Sequence, residues 1–214
     1  ENLQQDLEPD RIGYFSFTKK ATNEAIFRAV NKFKIDRKEF KWFRTLHSCA
    51  YQFLGCTHTD MIQEQDFEEF KQEYGVDLSP ALRSINSTSW GDPDGFHLID
   101  LYRVKNTTLH QEYKRAGHIQ GGFERLQRVA HDYHRFKKAK GVFDYTDLIV
   151  EFKKQNQSPK LEVLIVDEVQ DLKPVEWDMV KIMMDQARVV YLGGDDDQAI
   201  YSWSGADVSK LINL

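Results

Sequence analysis

Two apolar stretches in the last third of the chain decide its fold class: Leu161-Glu162-Val163-Leu164-Ile165-Val166 and Arg188-Val189-Val190-Tyr191-Leu192. The sequence between them, from Pro174 to Gln186, predicts a helix, because proline is favoured in the first turn of a helix. A strand, a helix and a second strand joined by few residues predict a right-handed crossover within a parallel sheet. Strands this apolar are expected to be buried on both faces. The predicted fold class is therefore α/β with a parallel sheet.

Each of these stretches ends at an acidic residue. The first stops at Asp167, which begins the run Asp167-Glu168-Val169-Gln170-Asp171, and the second stops at Gly193-Gly194-Asp195. Ligands bind beyond the carboxyl ends of parallel strands. Mg²⁺ accepts one or two carboxylates together with phosphate oxygens and water, and an adjacent acid can polarise an attacking water. The run therefore predicts a magnesium and phosphate site, with a solvated acidic turn as the alternative.

The second acidic end continues into a cluster that contains an amide and two aromatic residues. Gln198 can contact a phosphate or hold a water, and Tyr201 and Trp203 can stack on nucleic-acid bases. Packing in the core is the alternative for both aromatic residues. The flanking Ser202 and Ser204 make a purely apolar setting the weaker interpretation.

Basic residues are concentrated near the start of the chain, although the whole chain has a net charge of −5. From Arg11 to Arg44 there are ten Lys or Arg residues and three acidic residues, so this segment has a charge of +7. Phosphate binding depends on the charge of the local face rather than on the total. The segment is a candidate phosphate-binding surface, and a solvated helical face is the alternative.

A change of composition in the middle of the chain predicts an inserted subdomain. Residues 79–96 contain Pro80, Pro93 and several Gly, Ser and Asn residues, which mark loops. We predict three parts: a first part of the sheet domain at 1–56, a mainly helical inserted subdomain at 57–122, and a second part of the sheet domain at 123–214. Local patterns predict further elements, namely a strand at 14–17 and helices at 23–34, 45–54, 60–74, 98–104 and 123–140.

Composition excludes several classes of protein. Apolar residues make up 41% of the chain and charged residues 29%, which indicates a globular protein rather than a disordered one. No apolar run approaches the length of a membrane span, so no membrane partner is expected. Cys49 and Cys56 are too few for a disulfide scaffold, and a cytoplasmic location is expected because the cytoplasm is reducing.

Five segments, in order along the chain, resemble motifs of the superfamily 1 DNA helicases of the UvrD/Rep/PcrA type. They are Phe15–Ala21 (motif Ia), Thr45–Ser48 (motif Ib), Phe143–Ile149 (an Asp-Phe-x-Asp-Leu segment), Asp167–Asp171 (the Walker B signature Asp-Glu-x-Gln-Asp) and Gly194–Ala206 (motif III, Gly-Asp-x-x-Gln-x-Ile-Tyr-x-Trp-x-Gly-Ala). The last two are long and specific. The chain is therefore identified as a member of this family.

The resemblance implies a RecA-like P-loop NTPase sheet whose first strand is missing, within a parent protein that is an ATP-dependent DNA helicase. Its expected cofactors are ATP and Mg²⁺. By their positions in the motifs, Asp167 would help to hold Mg²⁺ and Glu168 would be the general base. Gln198 would contact the γ-phosphate and couple the state of ATP to DNA.

The resemblance also implies that single-stranded DNA and duplex junctions are the partners. The residues expected along the DNA strand are Phe17, Thr18, Lys19, Thr45, His47, Tyr201 and Trp203. Trp203 is expected to be the main base-stacking residue. Lys19 and Ser204 stand where relatives often have Asn and Arg, and the second difference puts one DNA contact in doubt.

Several parts of the family pattern do not occur in these 214 residues. The Walker A loop, Gly-x-x-x-x-Gly-Lys-Thr/Ser, is absent, as are motifs IV to VI with the arginine finger, so helicase domain 2 is expected elsewhere in the parent chain. We predict that this fragment alone does not hydrolyse ATP. The alternative is a truncated helicase-like module that binds single-stranded DNA or a partner protein without ATP hydrolysis. The intact Asp167, Glu168 and Gln198 favour the enzyme.

Overall fold

The computed structural model describes residues 7–78, 95–117, 119 and 121–195. The chain divides into two compact units. The sheet unit consists of Glu1–Gly55 and Leu148–Leu214, and the helical unit consists of Cys56–Asp147. Within the described parts of the chain, no helix is both long and apolar enough to cross a membrane.

Strands and helices alternate in the sheet unit, whereas the described part of the helical unit is built from helices. The strands are β1 (Ile12–Phe15), β2 (Trp42–Arg44), β3 (Val163–Val166) and β4 (Val189–Leu192). The α-helices are α1 (Lys19–Phe33), α2 (Leu46–Phe53), α3 (Glu64–Tyr74), α4 (Phe96–Val104), α5 (Leu109–Ala116), α6 (Gly122–Lys140), α7 (Tyr145–Gln155) and α8 (Pro174–Gln186).

The strands of the sheet unit are all parallel and lie in the order β2-β1-β3-β4. β1 pairs with β3 from Ile12 opposite Val163 to Phe15 opposite Val166. Helix α8 connects β3 to its neighbour β4 and has the predicted bounds. The predicted α/β class with a parallel sheet is therefore confirmed.

The first strand begins and ends two residues earlier than predicted. β1 ends at Phe15. Thr18 caps α1, because its hydroxyl accepts a hydrogen bond from the backbone N–H of Ala21 at 3.1 Å. The helix therefore starts at Lys19, before the predicted start at 23. The sequence prediction also lacks β2, because a strand of three residues in a basic segment has no clear apolar pattern.

The core of the sheet unit forms around β1, β3 and α8. Phe15, Leu164 and Trp177 are fully buried. β4 differs because, among the described strands, it pairs only with β3, and its Tyr191 is 51% exposed. The expectation that both apolar stretches are buried on both faces is correct for the mostly buried β3 and wrong for β4.

Helix α6 organises the helical unit, since it packs against α3, α4 and α5. Phe70 of α3 contacts the rings of Tyr133 and Phe136 of α6, with centroid distances of 5.9 and 5.4 Å. The compact unit therefore extends beyond the predicted boundary at 122, because α6 is part of its core.

Four charged side chains form a largely buried ion cluster at the start of α7. Arg103 of α4 and Lys137 of α6 both contact Asp144 and Asp147. The two aspartates also cap the helix reciprocally. The N–H of Asp147 donates to the Asp144 carboxylate at 2.8 Å, and the N–H of Asp144 donates to the Asp147 carboxylate at 2.9 Å. This segment, which resembles a helicase motif, therefore has a structural role within the helical unit.

The ion cluster makes the fold sensitive to acid. Burial raises the pKa of Asp144, but the Arg103 and Lys137 cations lower it by more, so the pKa lies well below its ordinary value. A carboxyl whose pKa is depressed in the folded state stabilises that state above the unfolded pKa, which is about 3.9 for aspartate. This stabilisation is lost as the pH falls below that value towards the folded pKa.

Replacing Asp144 by alanine is expected to lower the free energy of unfolding by about 3 kcal/mol, because it leaves two buried cations with one carboxylate. Glu69→Gln is the matched control. The Glu69 carboxylate is exposed, and its partner Lys140 keeps Asp66 as a second partner, so the expected loss is below about 1 kcal/mol. Urea unfolding followed by circular dichroism measures both. Equal losses would contradict the structural role of the cluster.

Candidate functional site

The carboxyl ends of the parallel strands form one edge of the sheet unit. Asp167 follows β3, and its backbone N–H donates to the carbonyl of Phe15 at 2.8 Å. Gly193 follows β4, and its N–H donates to the carbonyl of Val166 at 2.8 Å. The strand ends that the sequence analysis selected therefore lie side by side, at the edge where ligands bind in this class of sheet.

The Asp167 carboxylate is held in one orientation by two donors. The Tyr14 hydroxyl donates to Oδ2 at 2.7 Å, and the backbone N–H of Glu168 donates to Oδ1 at 3.1 Å. Burial and the hydrogen bond to Asp167 raise the pKa of Tyr14 above its ordinary value. The hydroxyl therefore keeps its proton at neutral pH and remains a donor.

Glu168 adopts a left-handed backbone conformation, with φ 56° and ψ 42°. Residues other than glycine rarely adopt this conformation, and strain of this kind is concentrated at functional sites. The conformation ends the strand sharply and begins a short 3₁₀ turn, Val169–Asp171. Glu168 therefore stands beside Asp167 at the sheet edge while the chain turns into the core.

Gln170 connects the ends of β3 and β4. The side chain is buried, its Nε2 donates to the Glu168 carboxylate at 2.6 Å, and its Oε1 accepts from the backbone N–H of Asp195 at 3.2 Å. A backbone hydrogen bond also joins the two strand ends, since the N–H of Val169 donates to the carbonyl of Gly193 at 3.0 Å. One amide therefore fixes both the Glu168 carboxylate and the start of the second acidic segment.

The sequence analysis missed Tyr14 and Gln170 as site residues. Gln170 lies within the quoted Walker B signature, so its position carried a usable signal. The sequence around Tyr14 carried no such signal, because its partner Asp167 is 153 positions away in the sequence.

Gly194 leaves room for the Gln170 side chain. A β-carbon at this position would lie 2.7 Å from Gln170 Oε1 and 2.8 Å from a methyl carbon of Val169. Real side chains do not approach so closely, so a larger residue would displace the amide. Glycine is therefore needed at position 194 because the Gln170 and Val169 side chains approach its backbone closely, and not because of its conformational freedom.

Asp171 is the third acid of the run and is largely buried. Burial and the nearby Glu168 carboxylate raise its pKa. One of its carboxylate oxygens, Oδ1, has no hydrogen-bond partner. A solvated acidic turn, the alternative interpretation of this run, does not describe a buried carboxyl of this kind.

Two of the predicted DNA-binding residues also cap helices. Thr18 caps α1, and the hydroxyl of Thr45 caps α2 by accepting from the backbone N–H of Ser48 at 3.3 Å. Phe17 is 37% exposed, and Lys19 is exposed at the first position of α1. These residues follow β1 and β2, so they lie at the same edge as the acidic residues.

His47 lies in the first turn of α2 and is half-buried. Its Nδ1 is 3.8 Å from the carboxylate of the buried Glu176 on α8. The remaining predicted site residues, Gln198, Tyr201 and Trp203, lie outside the described residues.

The carboxylates at the sheet edge fit a magnesium ion that also binds phosphate. Among the described residues, no group of three or more His, Cys, Asp or Glu side chains could hold a metal ion. Asp167 supplies one carboxylate, and Mg²⁺ typically takes one or two from a protein and completes its octahedron with phosphate oxygens and water. A β-carbon on Gly193 would lie 3.2 Å from Asp167 Oδ1, so the glycine keeps space beside this oxygen.

Comparison with known proteins assigns the chain to a family. Residues 2–214 match the family model described as the UvrD/REP helicase N-terminal domain. The chain belongs to the UvrD/Rep helicase family. The match includes both the sheet unit and the helical unit, and with the parallel sheet it confirms the predicted RecA-like α/β class.

Curated relatives agree with this family assignment. The chain is 22% identical to DNA helicase II of Escherichia coli (strain K12), over 97% of this chain and 30% of the relative. It is 30% identical to ATP-dependent DNA helicase Rep of Buchnera aphidicola subsp. Baizongia pistaciae, over 97% and 32%. It is 24% identical to ATP-dependent DNA helicase PcrA of Staphylococcus aureus, over 99% and 30%. The chain thus spans about a third of the length of these relatives.

Gly194→Ala is expected to lower the free energy of unfolding by about 1–3 kcal/mol, because its methyl group would overlap Gln170 and Val169. Gly193→Ala is the matched control, since its methyl group would meet Asp167 only at 3.2 Å, and a smaller loss is expected. Chemical unfolding of both variants measures the difference.

A double-mutant cycle with Gln170→Ser tests the cause. Shortening residue 170 should recover part of the Gly194→Ala loss, because it removes the overlapping amide oxygen. Additive losses would show that contact with Gln170 is not the reason for the glycine.

Proposed function

We propose that the protein containing this chain is an ATP-dependent DNA helicase that translocates on single-stranded DNA and unwinds the duplex. The arrangement of Asp167, Glu168 and Gln170 at the carboxyl edge of the sheet, in a chain of the UvrD/Rep family, carries this proposal. ATP and Mg²⁺ are the proposed cofactors, and single-stranded DNA and duplex junctions are the proposed partners. Helicase domain 2 is proposed to come from another part of the protein.

The proposed chemistry assigns a distinct role to each side chain at the edge. Asp167 would hold Mg²⁺, with its orientation fixed by Tyr14. When bound, Mg²⁺ supplies positive charge that stabilises the phosphate oxygens. Glu168 would accept a proton from the attacking water, and Gln170 would keep its carboxylate in place. Gln198 is proposed to contact the γ-phosphate.

Gln170 also supports a proposed link between hydrolysis and DNA. Its amide contacts Glu168 on one side and the backbone of Asp195 on the other. Asp195 begins the segment with Gln198, Tyr201 and Trp203, for which DNA and phosphate contacts are proposed. If DNA displaced that segment, the displacement would therefore act on Glu168, the proposed general base, through the Gln170 side chain.

The second candidate function is a module that binds single-stranded DNA or a partner protein without hydrolysing ATP. A Walker A loop in the reading frame of the parent protein would decide in favour of the enzyme. A parent protein without that loop would decide in favour of the binding module.

The 214-residue chain by itself is expected to release no phosphate from ATP above background. The glycine-rich loop and the lysine that would cradle the phosphates do not occur in its sequence. Phosphate release is measured with and without single-stranded DNA. The expectation would be contradicted if single-stranded DNA stimulated phosphate release and the Glu168→Gln substitution abolished it.

In a longer protein that includes the loop, Glu168→Gln should reduce turnover by about 10²–10⁴-fold, the usual contribution of a general base. Binding of ATP should be unchanged, because the amide has nearly the same shape as the carboxylate. Asp178→Asn is a control that removes a carboxylate paired with Lys153 at 2.6 Å and should leave turnover unchanged. Full turnover in the Glu168 variant would remove this residue from the proposed mechanism.

The proposed DNA contacts are tested by measuring separately the contribution of base stacking and the contribution of charge to DNA binding. Phe17, Thr18, Lys19, Thr45, His47, Tyr201 and Trp203 are the proposed contacts. Trp203→Ala should weaken binding of single-stranded DNA by about 1–3 kcal/mol with little change in its salt dependence, because stacking releases no counterions.

Lys19→Ala should have the complementary effect, with a reduction of about 0.7 in the slope of log affinity against log salt. Fluorescence anisotropy titrations at several salt concentrations measure both variants. An affinity that does not change in Trp203→Ala would assign this residue to packing instead.

A further inference from the structure

The two carboxylate oxygens of Asp167 have different surroundings. Oδ2 accepts a hydrogen bond from the Tyr14 hydroxyl at 2.7 Å. Oδ1 accepts a longer one from the backbone N–H of Glu168, at 3.1 Å. Gly193 keeps space beside Oδ1, since a β-carbon at this glycine would lie 3.2 Å away. A cation that approaches the carboxylate therefore has room at Oδ1 and meets a bound hydroxyl at Oδ2.

Strand register places the Tyr14 hydroxyl at this carboxylate. Tyr14 pairs with Ile165 of β3, and Asp167 follows Ile165 by two positions. Paired residues of neighbouring strands have their side chains on the same face of a sheet, and so do residues two positions apart in one strand. Tyr14 therefore lies on the face of Asp167, and the length of its side chain carries the hydroxyl to the strand end.

Aromatic neighbours hold the Tyr14 ring in position. The ring stacks on that of Phe43, its partner in β2, with centroids 5.5 Å apart and an angle of 28° between the planes. Phe43 in turn packs against the buried Phe40 at a centroid distance of 4.9 Å. Stacked aromatic pairs prefer a defined geometry. A movement of the hydroxyl away from Oδ2 would therefore disturb this packing.

Divalent cations differ in how they use a carboxylate. Mg²⁺ requires a near-ideal octahedron with metal–oxygen distances of about 2.0–2.1 Å, and the two oxygens of one carboxylate are too close together to fill two of its corners. Ca²⁺ takes about six to eight oxygens at about 2.3–2.6 Å in a flexible arrangement, and it can bind both oxygens of one carboxylate. A cation on both oxygens of Asp167 would meet the positive end of the Tyr14 O–H dipole at Oδ2. The carboxylate is therefore arranged for an ion that uses one oxygen.

We infer that Tyr14 determines the metal specificity of the site, because its hydroxyl confines the ion to Oδ1 of Asp167 and so favours Mg²⁺ over Ca²⁺. Tyr14 acts through Asp167 and is a positioning residue. Groups that orient the ligands of a metal contribute about 10–100-fold to metal affinity. This role rests on the proposed function, which takes Asp167 as the metal ligand, and it adds the means by which the site selects its ion.

A variant that loses the hydroxyl but keeps the ring tests this role. Tyr14→Phe removes the bond to Oδ2 and retains the stacked aromatic ring. Tyr191→Phe is the matched control, because Tyr191 pairs with Ile165 from the other side and its hydroxyl belongs to the same row of the sheet. The described hydrogen bonds to the Asp167 carboxylate come from Tyr14 and Glu168. The control therefore removes a similar hydroxyl that does not orient the carboxylate.

Metal binding is measured on the 214-residue chain with MgCl₂ and CaCl₂ as separate ligands. The amide signals of Glu168, Gly193 and Gly194 in ¹H–¹⁵N NMR spectra report binding beside Oδ1, and their shifts give a dissociation constant for each ion. Asp167→Asn identifies the shifts that depend on this carboxylate. Thermal unfolding establishes that every variant folds.

In Tyr14→Phe the dissociation constant of Mg²⁺ should rise about 10-fold. That of Ca²⁺ should not rise, because both oxygens of Asp167 become available to it, so the preference for Mg²⁺ should fall about 10-fold. Tyr191→Phe should keep the preference of the original chain. Equal weakening of both ions in Tyr14→Phe, or no weakening of either, would overturn the specificity role and leave Asp167 as the metal ligand. Shifts that persist in Asp167→Asn, or no binding of Mg²⁺ to the original chain, would instead overturn the proposed metal role of Asp167 itself.

Discussion

The parallel hydrogen-bond ladder between β1 and β3 is the constraint on which the rest of the structure depends. It places Phe15 opposite Val166, although the whole helical unit lies between these residues in the sequence. Closing so long a loop costs conformational entropy, and burial of Phe15 and Leu164 helps to offset it. The same ladder places the Tyr14 hydroxyl beside Asp167, so the orientation of this carboxylate follows from strand register.

The sheet edge keeps several features that folding alone disfavours. Glu168 has a left-handed backbone, which costs on the order of 1–3 kcal/mol for a residue other than glycine. Asp171 is largely buried beside a second carboxylate, and burial raises its pKa. Gln170 offsets part of this cost, because it donates to Glu168 and accepts from Asp195. Backbone strain and a carboxyl with a raised pKa at one strand end are typical of functional sites.

Two cations of the helical unit and two of the sheet unit differ in the partners that hold them. In the helical unit, Arg103 and Lys137 are buried against carboxylates, so their charge holds helices together. In the sheet unit, Arg37 and Arg44 bond to neutral oxygens and keep their charge available. The difference depends on the partners of each cation rather than on the number of cations. A count of basic residues in the sequence therefore cannot separate structural cations from those that can bind phosphate.

The sequence by itself determined the features that local pattern encodes: the bounds of α8, the acidic ends of β3 and β4, and the motifs of the UvrD/Rep family. It also selected Asp167 and Glu168 by their chemistry, whereas β2, α5 and α7 escaped prediction. Only the tertiary structure decided that Tyr14 orients Asp167 and that Gln170 reaches Asp195. Those contacts join distant positions, and their identity is set by strand register and packing, which local periodicity does not encode.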